Sequence, residues 1–195
     1  MIKEHKTTVA AASEPITLAE LKEQLRIESS TTEDDTFLTG LIVSSREAVE
    51  AILGKVLINQ TVVAKLDEFP KDEYFELPTP PVSSVTSITY FDEDNASQTF
   101  SSASYSLNDY CDPDRIVRNT DVDWPATYDR WDAITVTYQS GFANAAAVPS
   151  SIKTVVKMLA AETYEQRGFS DSDATKNAML RAASVMLEIN KTAHL

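Results

Sequence analysis

The stretch 77-LPTPPVSSVTSITYFD-92 decides the fold, because it joins a proline-rich segment to the clearest strand pattern in the chain. Its three prolines have no backbone N–H to donate, so residues 77–82 are expected to be extended without pairing along both edges. From residue 85 to residue 91, β-branched and aromatic side chains alternate between two faces. The stretch therefore predicts a strand whose pairing starts only after the prolines.

A turn and a second short strand are predicted to follow. The sequence DEDNAS at 92–97 has turn composition, and residues 98–100 are a short strand candidate, so the two strands form a hairpin. The turn lacks the glycine that is common after an aspartate at this position. Residues 133–138, AITVTY, predict a further strand, and the short connections favour antiparallel pairing.

Helical patterns flank this strand region. Thr17 and Glu20 form a capping-box pattern that opens a helix over 17–27, and apolar residues at three- and four-residue spacing predict a second helix over 34–53. Pro149 favours the start of a third helix over 149–167. Residues 1–14 show no periodicity and predict a flexible arm, and residues 170–195 predict a C-terminal helix or tail.

These elements together predict an α+β fold. We expect a bundle of about four helices with a small, mostly antiparallel β-sheet subdomain inserted at 55–140, in one main domain over 15–169. The 195 residues, 43% of them hydrophobic, are enough for a packed core. No apolar run approaches the roughly 20 residues that span a bilayer, and no signal peptide is visible. The sequence therefore predicts an intracellular soluble protein without membrane contact.

The charge argues against a protein that grips nucleic acid. The net charge is −13, and the acidic excess lies before residue 149: nine acidic and three basic residues over 14–53, then fifteen and six over 54–148. Tight binding to phosphates needs clustered Lys and Arg. The acidity is either a solvated, solubilising surface or a field directed at a partner.

No pattern of catalytic, cofactor-binding or metal-ligating residues stands out. The single cysteine, Cys111, excludes an intramolecular disulfide, and no phosphate-binding glycine loop, nucleophile elbow or metal-spaced histidine pair is present. Two acidic clusters, at 92–95 and 109–114, lack the ligand spacing of a calcium loop. A small hydrolase using two carboxylates and a monomeric protein-binding module stay open as alternatives.

Two tryptophans lie in the segment VDWPATYDRWD. Trp124 and Trp131, with Tyr128 between them, are more typical of lids over a core than of a ligand box. Tryptophan, tyrosine and arginine are also the usual anchors of protein interfaces. Neither interpretation requires catalysis.

The order of these pieces resembles the head-tail connector, or adaptor, proteins of tailed bacteriophages and prophages. The resemblance covers roughly residues 15–167. It is carried by TLAELKEQLRI, FLTGLIVSSREAVEAILGKVLINQT, FELPTPPVSSVTSITYFD, ITVTYQSGF and VPSSIKTVVKMLAAETYEQR in this order. The missing glycine of the hairpin and the predicted C-terminal helix depart from the pattern.

The resemblance implies a structural virion protein rather than an enzyme, with 15–169 as its connector domain. Such proteins form a ring of about twelve subunits beneath the portal at the head–tail junction, in a virion assembled in the host cytoplasm. The implied partners are further copies of the chain, the portal protein, and tail or stopper proteins. DNA would pass through the ring without specific binding, and part of the acidity would face the channel.

A closed ring needs two different contact faces on each subunit. We expect one face on the second helix and an oppositely charged face on the third, with the acidic loop, the tryptophans and the chain ends as further contacts. The interface candidates are Arg46, Glu47, Glu50, Asp92, Glu93, Asp94, Asn95, Trp124, Trp131, Lys153, Lys157 and Arg167.

Overall fold

The computed structural model describes residues 2–166, which divide into two compact units. The β unit consists of residues 2–12 and 59–143, and the helical unit consists of residues 13–58 and 144–166. Arg167 and the predicted C-terminal helix over 170–195 lie outside the described residues.

The described residues form three α-helices and eight β-strands. The helices are α1 (Leu18–Leu25), α2 (Asp35–Leu53) and α3 (Ser150–Glu165). The strands are β1 (Glu4–Val9), β2 (Gln60–Leu66), β3 (Tyr74–Glu76), β4 (Val82–Phe91), β5 (Ser97–Phe100), β6 (Tyr105–Asn108), β7 (Arg115–Arg118) and β8 (Ile134–Ser140).

The β unit contains two antiparallel sheets. One has five strands in the order β1-β2-β8-β4-β5, and the other has three in the order β3-β7-β6. The long central strands β2 and β8 pair over seven residues, from Gln60↔Ser140 to Leu66↔Ile134. Inward side chains of β2 and β8 alternate with partly exposed ones, so every second residue enters the core.

The core of the β unit is apolar and rich in aromatic rings. Val62, Leu66, Ile88, Ile134 and Val136 are fully or almost fully buried in the five-stranded sheet. Burial of such side chains from water is the main favourable term in folding. The β unit therefore has a core of its own.

The proline segment is anchored to the end of β8. The Tyr138 hydroxyl donates to the Pro78 carbonyl over 2.6 Å and lies 3.0 Å from the Thr79 hydroxyl, while the Ser140 hydroxyl donates to the Thr79 carbonyl. Burial raises the pKa of Tyr138 to about 12. These bonds fix the proline segment against the end of β8. The next strand, β4, begins at Val82 directly after the last proline, as the sequence predicts.

Two helix ends of the helical unit have clear capping contacts, at the start of α1 and at the end of α2. Thr17 caps α1, its side chain accepting the Glu20 N–H while the Glu20 carboxylate accepts the Thr17 N–H. Gly54 ends α2 in the left-handed conformation, at φ 66°. The apolar stripes of the helices provide the core of the helical unit, with Leu21, Leu38, Val49, Ile152 and Val156 fully buried.

The predicted fold class is wrong. The described residues are mostly β, with eight strands in two antiparallel sheets and only three helices, so they do not form a four-helix bundle with a small inserted sheet. The long apolar stripes of α2 and α3 are strong sequence signals, whereas three- and four-residue strands such as β3 and β6 are weak ones. The prediction therefore gave the helices too much weight.

The N-terminal segment also differs from the expected arm. Residues Glu4–Val9 form β1, which pairs antiparallel with β2 at the edge of the five-stranded sheet. All six side chains of β1 are exposed, so no buried face leaves a period of two in the sequence. Backbone hydrogen bonds to β2 hold this strand in place, and such bonds leave no hydrophobic pattern in the sequence.

Candidate functional site

The acidic hairpin tip at 92–96 is an ordered turn. One carboxylate oxygen of Asp92 accepts the N–H groups of Asp94 and Ala96 at 3.1 and 2.9 Å, and the other accepts the Gln98 side-chain amide at 2.8 Å. These bonds, the one from Gln98 first, lower the pKa of Asp92. Asp92 therefore holds the turn, and Glu93 and Asp94 are presented to solvent.

Asn95 takes the place of the missing glycine. Its φ is 59°, in the left-handed region that asparagine tolerates better than most residues. The Arg130 guanidinium reaches the Asn95 side-chain oxygen at 3.3 Å and lies over the Phe91 ring, 4.0 Å from its centre. The hairpin tip and the loop around Arg130 are thus one continuous surface.

The two tryptophans have different environments. Trp124 stacks on Phe69 with ring centres 4.8 Å apart, and its indole N–H donates to the Asp72 carbonyl. It covers the aromatic core, as expected for a lid. Trp131 is 58% exposed and Tyr128 43% exposed. Trp131 is thus the more exposed of the two tryptophans, and Trp124 is partly buried.

Arg46 on α2 is the centre of an ionic network inside the helical unit. Its guanidinium contacts Glu14 at 2.8 Å, Glu50 at 2.6 Å and Glu47 at 3.6 Å. The second carboxylate oxygen of Glu50 accepts the Leu57 N–H at 2.8 Å. Burial raises the pKa of Glu50, although the bonds from Leu57 and Arg46 oppose it. Arg46 and Glu50 are thus occupied within the subunit, and Glu47 is the exposed acid of the three candidates.

Lys153 and Lys157 on α3 face a carboxylate of the same unit. The bonds with Thr17 lower the pKa of Glu20, and the two lysines lower it further. Lys153 also donates to the Ala145 carbonyl at 3.1 Å. The role of these lysines in a contact between subunits stays a prediction.

The sequence interpretation missed two features of the β unit. Asp114, which belonged to an acidic cluster in the sequence, is buried and accepts the Val82 N–H at 2.6 Å at the start of β4. The chain start is the second feature: Lys3 pairs with Asp67 at 3.2 Å, and Glu4, His5 and Lys6 are exposed residues of β1. The charged residues at 3–6 were the available signal, but the sequence predicted a flexible arm there.

Other kinds of site are not visible in the described part of the chain. Among residues 2–166, no three His, Cys, Asp or Glu side chains come together as a metal-binding group. No helix of the same residues is long and apolar enough to cross a membrane. Cys111 is a free, partly exposed thiol.

The sequence from residue 14 to residue 179 matches the sequence model of the head completion protein family. This match covers most of the chain and confirms the resemblance to phage head-tail connectors. The class defined is that of structural virion proteins of tailed-phage type. The chain belongs to the head completion protein family. A search of curated protein sequences found no match.

Solved structures with the same fold come from gene transfer agent (GTA) particles. A chain from the virion of the native particle superposes with a TM-score of 0.75 at 19% identity, covering 98% of this chain and 96% of that one. A chain from the neck of the empty particle, computed with C6 symmetry, gives 0.74 at 19% identity, with 94% of each chain covered. A chain from the native neck, computed with C12 symmetry, gives 0.69 at 20% identity, covering 100% and 97%. These likenesses establish a shared fold over nearly whole chains.

Proposed function

We propose that this protein is a ring-forming head-tail connector that lies beneath the portal, extends the DNA channel and joins the head to the tail. The observation that carries the proposal is membership of the head completion protein family over residues 14–179. The fold likeness to chains of GTA necks computed with C6 and C12 symmetry supports several copies around one axis. We propose about twelve subunits in the assembled ring.

The proposed partners are further copies of the chain, the portal protein, and a tail or stopper protein. The proposed place of action is the head–tail junction of a virion assembled in the host cytoplasm. We infer a structural role without catalysis, because the family is one of virion components. The exposed ring of Trp131 and the solvent-facing acids of the hairpin tip suit protein contacts, in which aromatic residues often anchor the binding.

The acidity suits a channel for DNA. The net charge of −13 repels phosphate, and a wall that bound DNA through many cations would slow its passage. We propose that part of the acidic surface before residue 149 lines the channel. Reversal of exposed acids in pairs, for example Glu68→Lys with Asp72→Lys, should create salt-sensitive DNA retention when the pair faces the channel. If no such pair changed retention, the channel assignment would fail.

The assembly test uses the full chain and its portal protein. Cryo-electron microscopy of the mixture should show a ring of about twelve copies on the portal, and native mass spectrometry should give the matching mass. The chain alone can stay monomeric, because the portal can nucleate assembly by mass action. A chain that stays monomeric and unbound with excess portal protein would refute the proposal.

A further inference from the structure

We infer that, in the free chain, the C-terminal segment at residues 170–195 folds back on its own subunit and packs on the outer face of α2. The outer face is the exposed side of α2 that carries Phe37, Gly40, Ser44, Ala51 and Ile52. It belongs to the helical unit. The inference goes beyond the proposed function, because it concerns the single chain before any ring forms.

The outer face has the composition of a contact surface. Phe37 is 45% exposed and Ile52 is 53% exposed. Of the exposed residues of α2, only Glu47 is charged, although 24% of the whole chain is charged. The solvent side of a surface helix normally carries charged and polar residues. A weakly polar face that extends about 22 Å, from Phe37 to Ile52, therefore suits a contact with another segment of protein.

Gly40 in the middle of the outer face supports this interpretation. A Cβ atom added at Gly40 meets no atom within 4 Å, so the packing of the subunit would accept an alanine there. Glycine in a helix interior is less favourable than alanine. Its advantage is that it lets another backbone approach closely. Position 40 therefore suits a second helix that lies directly on α2.

The described chain ends beside the outer face. Tyr164 lies in the last turn of α3, and its hydroxyl donates to the Asp34 carboxylate at 2.7 Å. Its ring centre lies 6.2 Å from that of Phe37. The residues after Gln166 therefore start from the Phe37 end of the outer face. A segment tethered at this point has a high local concentration there, which a separate protein does not have.

The length and the sequence pattern of the C-terminal segment fit the outer face. A helix over 172–191 would be about 30 Å long, enough to cover the face. Such a helix is only marginally stable by itself in water, so its apolar side gains from packing on a partner. Alanines at positions 174, 178 and 182 would allow a close approach to Gly40. The apolar residues at helical spacing are Ala178, Met179, Ala182, Val185, Met186 and Ile189.

The first test forms a disulfide within the full-length chain, without portal protein. In a Cys111→Ser background, Ser44→Cys is combined with Ala182→Cys, because both positions are near the middle of their helices. Oxidation of the dilute protein should give a monomer with an internal disulfide, which migrates faster on a non-reducing gel. The matched control combines Thr39→Cys with Ala182→Cys, because Thr39 is exposed but lies about 140° around α2 from Ser44.

The control pair should form the internal disulfide at least about fivefold more slowly, because its Cβ atoms point apart. Equal rates for the two pairs would overturn the inference. Disulfide-linked dimers in place of the monomeric product would show that a second copy covers the outer face, and would also overturn it.

The second test measures how fast trypsin cuts the C-terminal segment after Lys176 and Arg181. Ser44→Asp puts a charge on the outer face, and Thr39→Asp makes the same charge change away from it. The two positions are matched, because the Ser44 and Thr39 hydroxyls donate to the Leu41 and Asp35 carbonyls of α2 at 3.2 and 2.8 Å.

Ser44→Asp should speed cleavage roughly three- to tenfold, because cleavage follows the population of the undocked segment, and Thr39→Asp should leave the rate unchanged. Equal rates in both variants and the unmodified chain would overturn the inference. Neither test needs a ring, so a failure here leaves the proposed function untouched. Failure of the unmodified chain to assemble on its portal protein would refute the proposed function alone.

Discussion

Replacement of Arg46 by methionine should destabilise the helical unit in a pH-dependent manner. Methionine replaces the aliphatic part of the side chain and removes the guanidinium with its charge and hydrogen bonds. The substitution leaves Glu14 and Glu50 without the guanidinium that contacts them at 2.8 and 2.6 Å. The carboxylates of Glu14 and Glu50 then remain partly buried without a cation beside them.

The expected loss follows from burial. Loss of one partner of a buried ion pair costs about 3–5 kcal/mol, because the other charge stays buried and unpaired. The side chains of Arg46, Glu50 and Glu14 are 12%, 17% and 24% exposed, so water screens part of the effect. We therefore expect a loss of about 2–3 kcal/mol in the free energy of unfolding at neutral pH. The unfolding temperature should fall by about 4–12 °C.

The pH dependence comes from Glu50. Its pKa is raised in the folded protein, chiefly by burial, so the folded state binds more protons than the unfolded state between the ordinary and the raised pKa. Stability therefore falls as pH rises through this interval. Loss of Arg46 removes two influences that lower the pKa of Glu50, so the interval should extend to higher pH. The deficit of Arg46→Met should be small near pH 4 and complete near pH 8.

Urea unfolding followed by the circular dichroism of the helices measures the effect at both pH values. Glu47→Gln is the matched control, because Glu47 is 64% exposed and lies 3.6 Å from Arg46, and it should change stability by less than about 0.5 kcal/mol. Addition of Glu50→Gln to Arg46→Met should restore about 1–2 kcal/mol at neutral pH. An equal deficit at both pH values, or none at pH 8, would refute the reasoning.

Three further predictions concern the β unit. Tyr138→Phe loses the hydroxyl that donates to the Pro78 carbonyl, and its free energy of unfolding should fall by about 1–2 kcal/mol. The absorbance titration of this variant should lack the tyrosine ionisation near pH 12. Trp124→Ala opens the aromatic core and should lower the free energy of unfolding in urea by about 3–5 kcal/mol. Trp131→Ala, at an exposed position, should change it by less than about 0.5 kcal/mol. Similar losses in the two variants would contradict the assignment of Trp124 as the lid. Asn95→Val should cost about 1–3 kcal/mol at its positive φ, and Asn95→Gly should be nearly neutral; a neutral valine variant would mean that the turn relaxes.

Local signals predicted the elements more accurately than the fold class. The capping box at Thr17 predicted the start of α1, and the prolines before Val82 predicted the start of β4, each within a few residues. These signals act through neighbouring backbone groups, so a short window of sequence contains them. How much of the chain forms sheet rather than helix depends on pairing between distant segments. The predicted fold class, a helical bundle with a small inserted sheet, was therefore wrong.

The candidate contact residues show the same difference. The sequence named charged and aromatic candidates, yet it could not distinguish Trp124, which covers a core, from the exposed Trp131. Likewise, Arg46 and Glu50 look like surface charges on a helix, but Glu14, 32 residues before Arg46, completes their network. Only the folded chain decides which charges are already paired.

The sequence by itself determined α1, α2 and α3, the antiparallel hairpin after the prolines and, through the order of its motifs, the relationship to head-tail connectors. The tertiary structure alone decided that the N-terminal segment is β1, the edge strand beside β2. The physical reason is distance along the chain. Capping and periodicity act over a few residues, whereas Glu4 reaches Lys65, and Lys65 reaches Thr135, only when the sheet has formed.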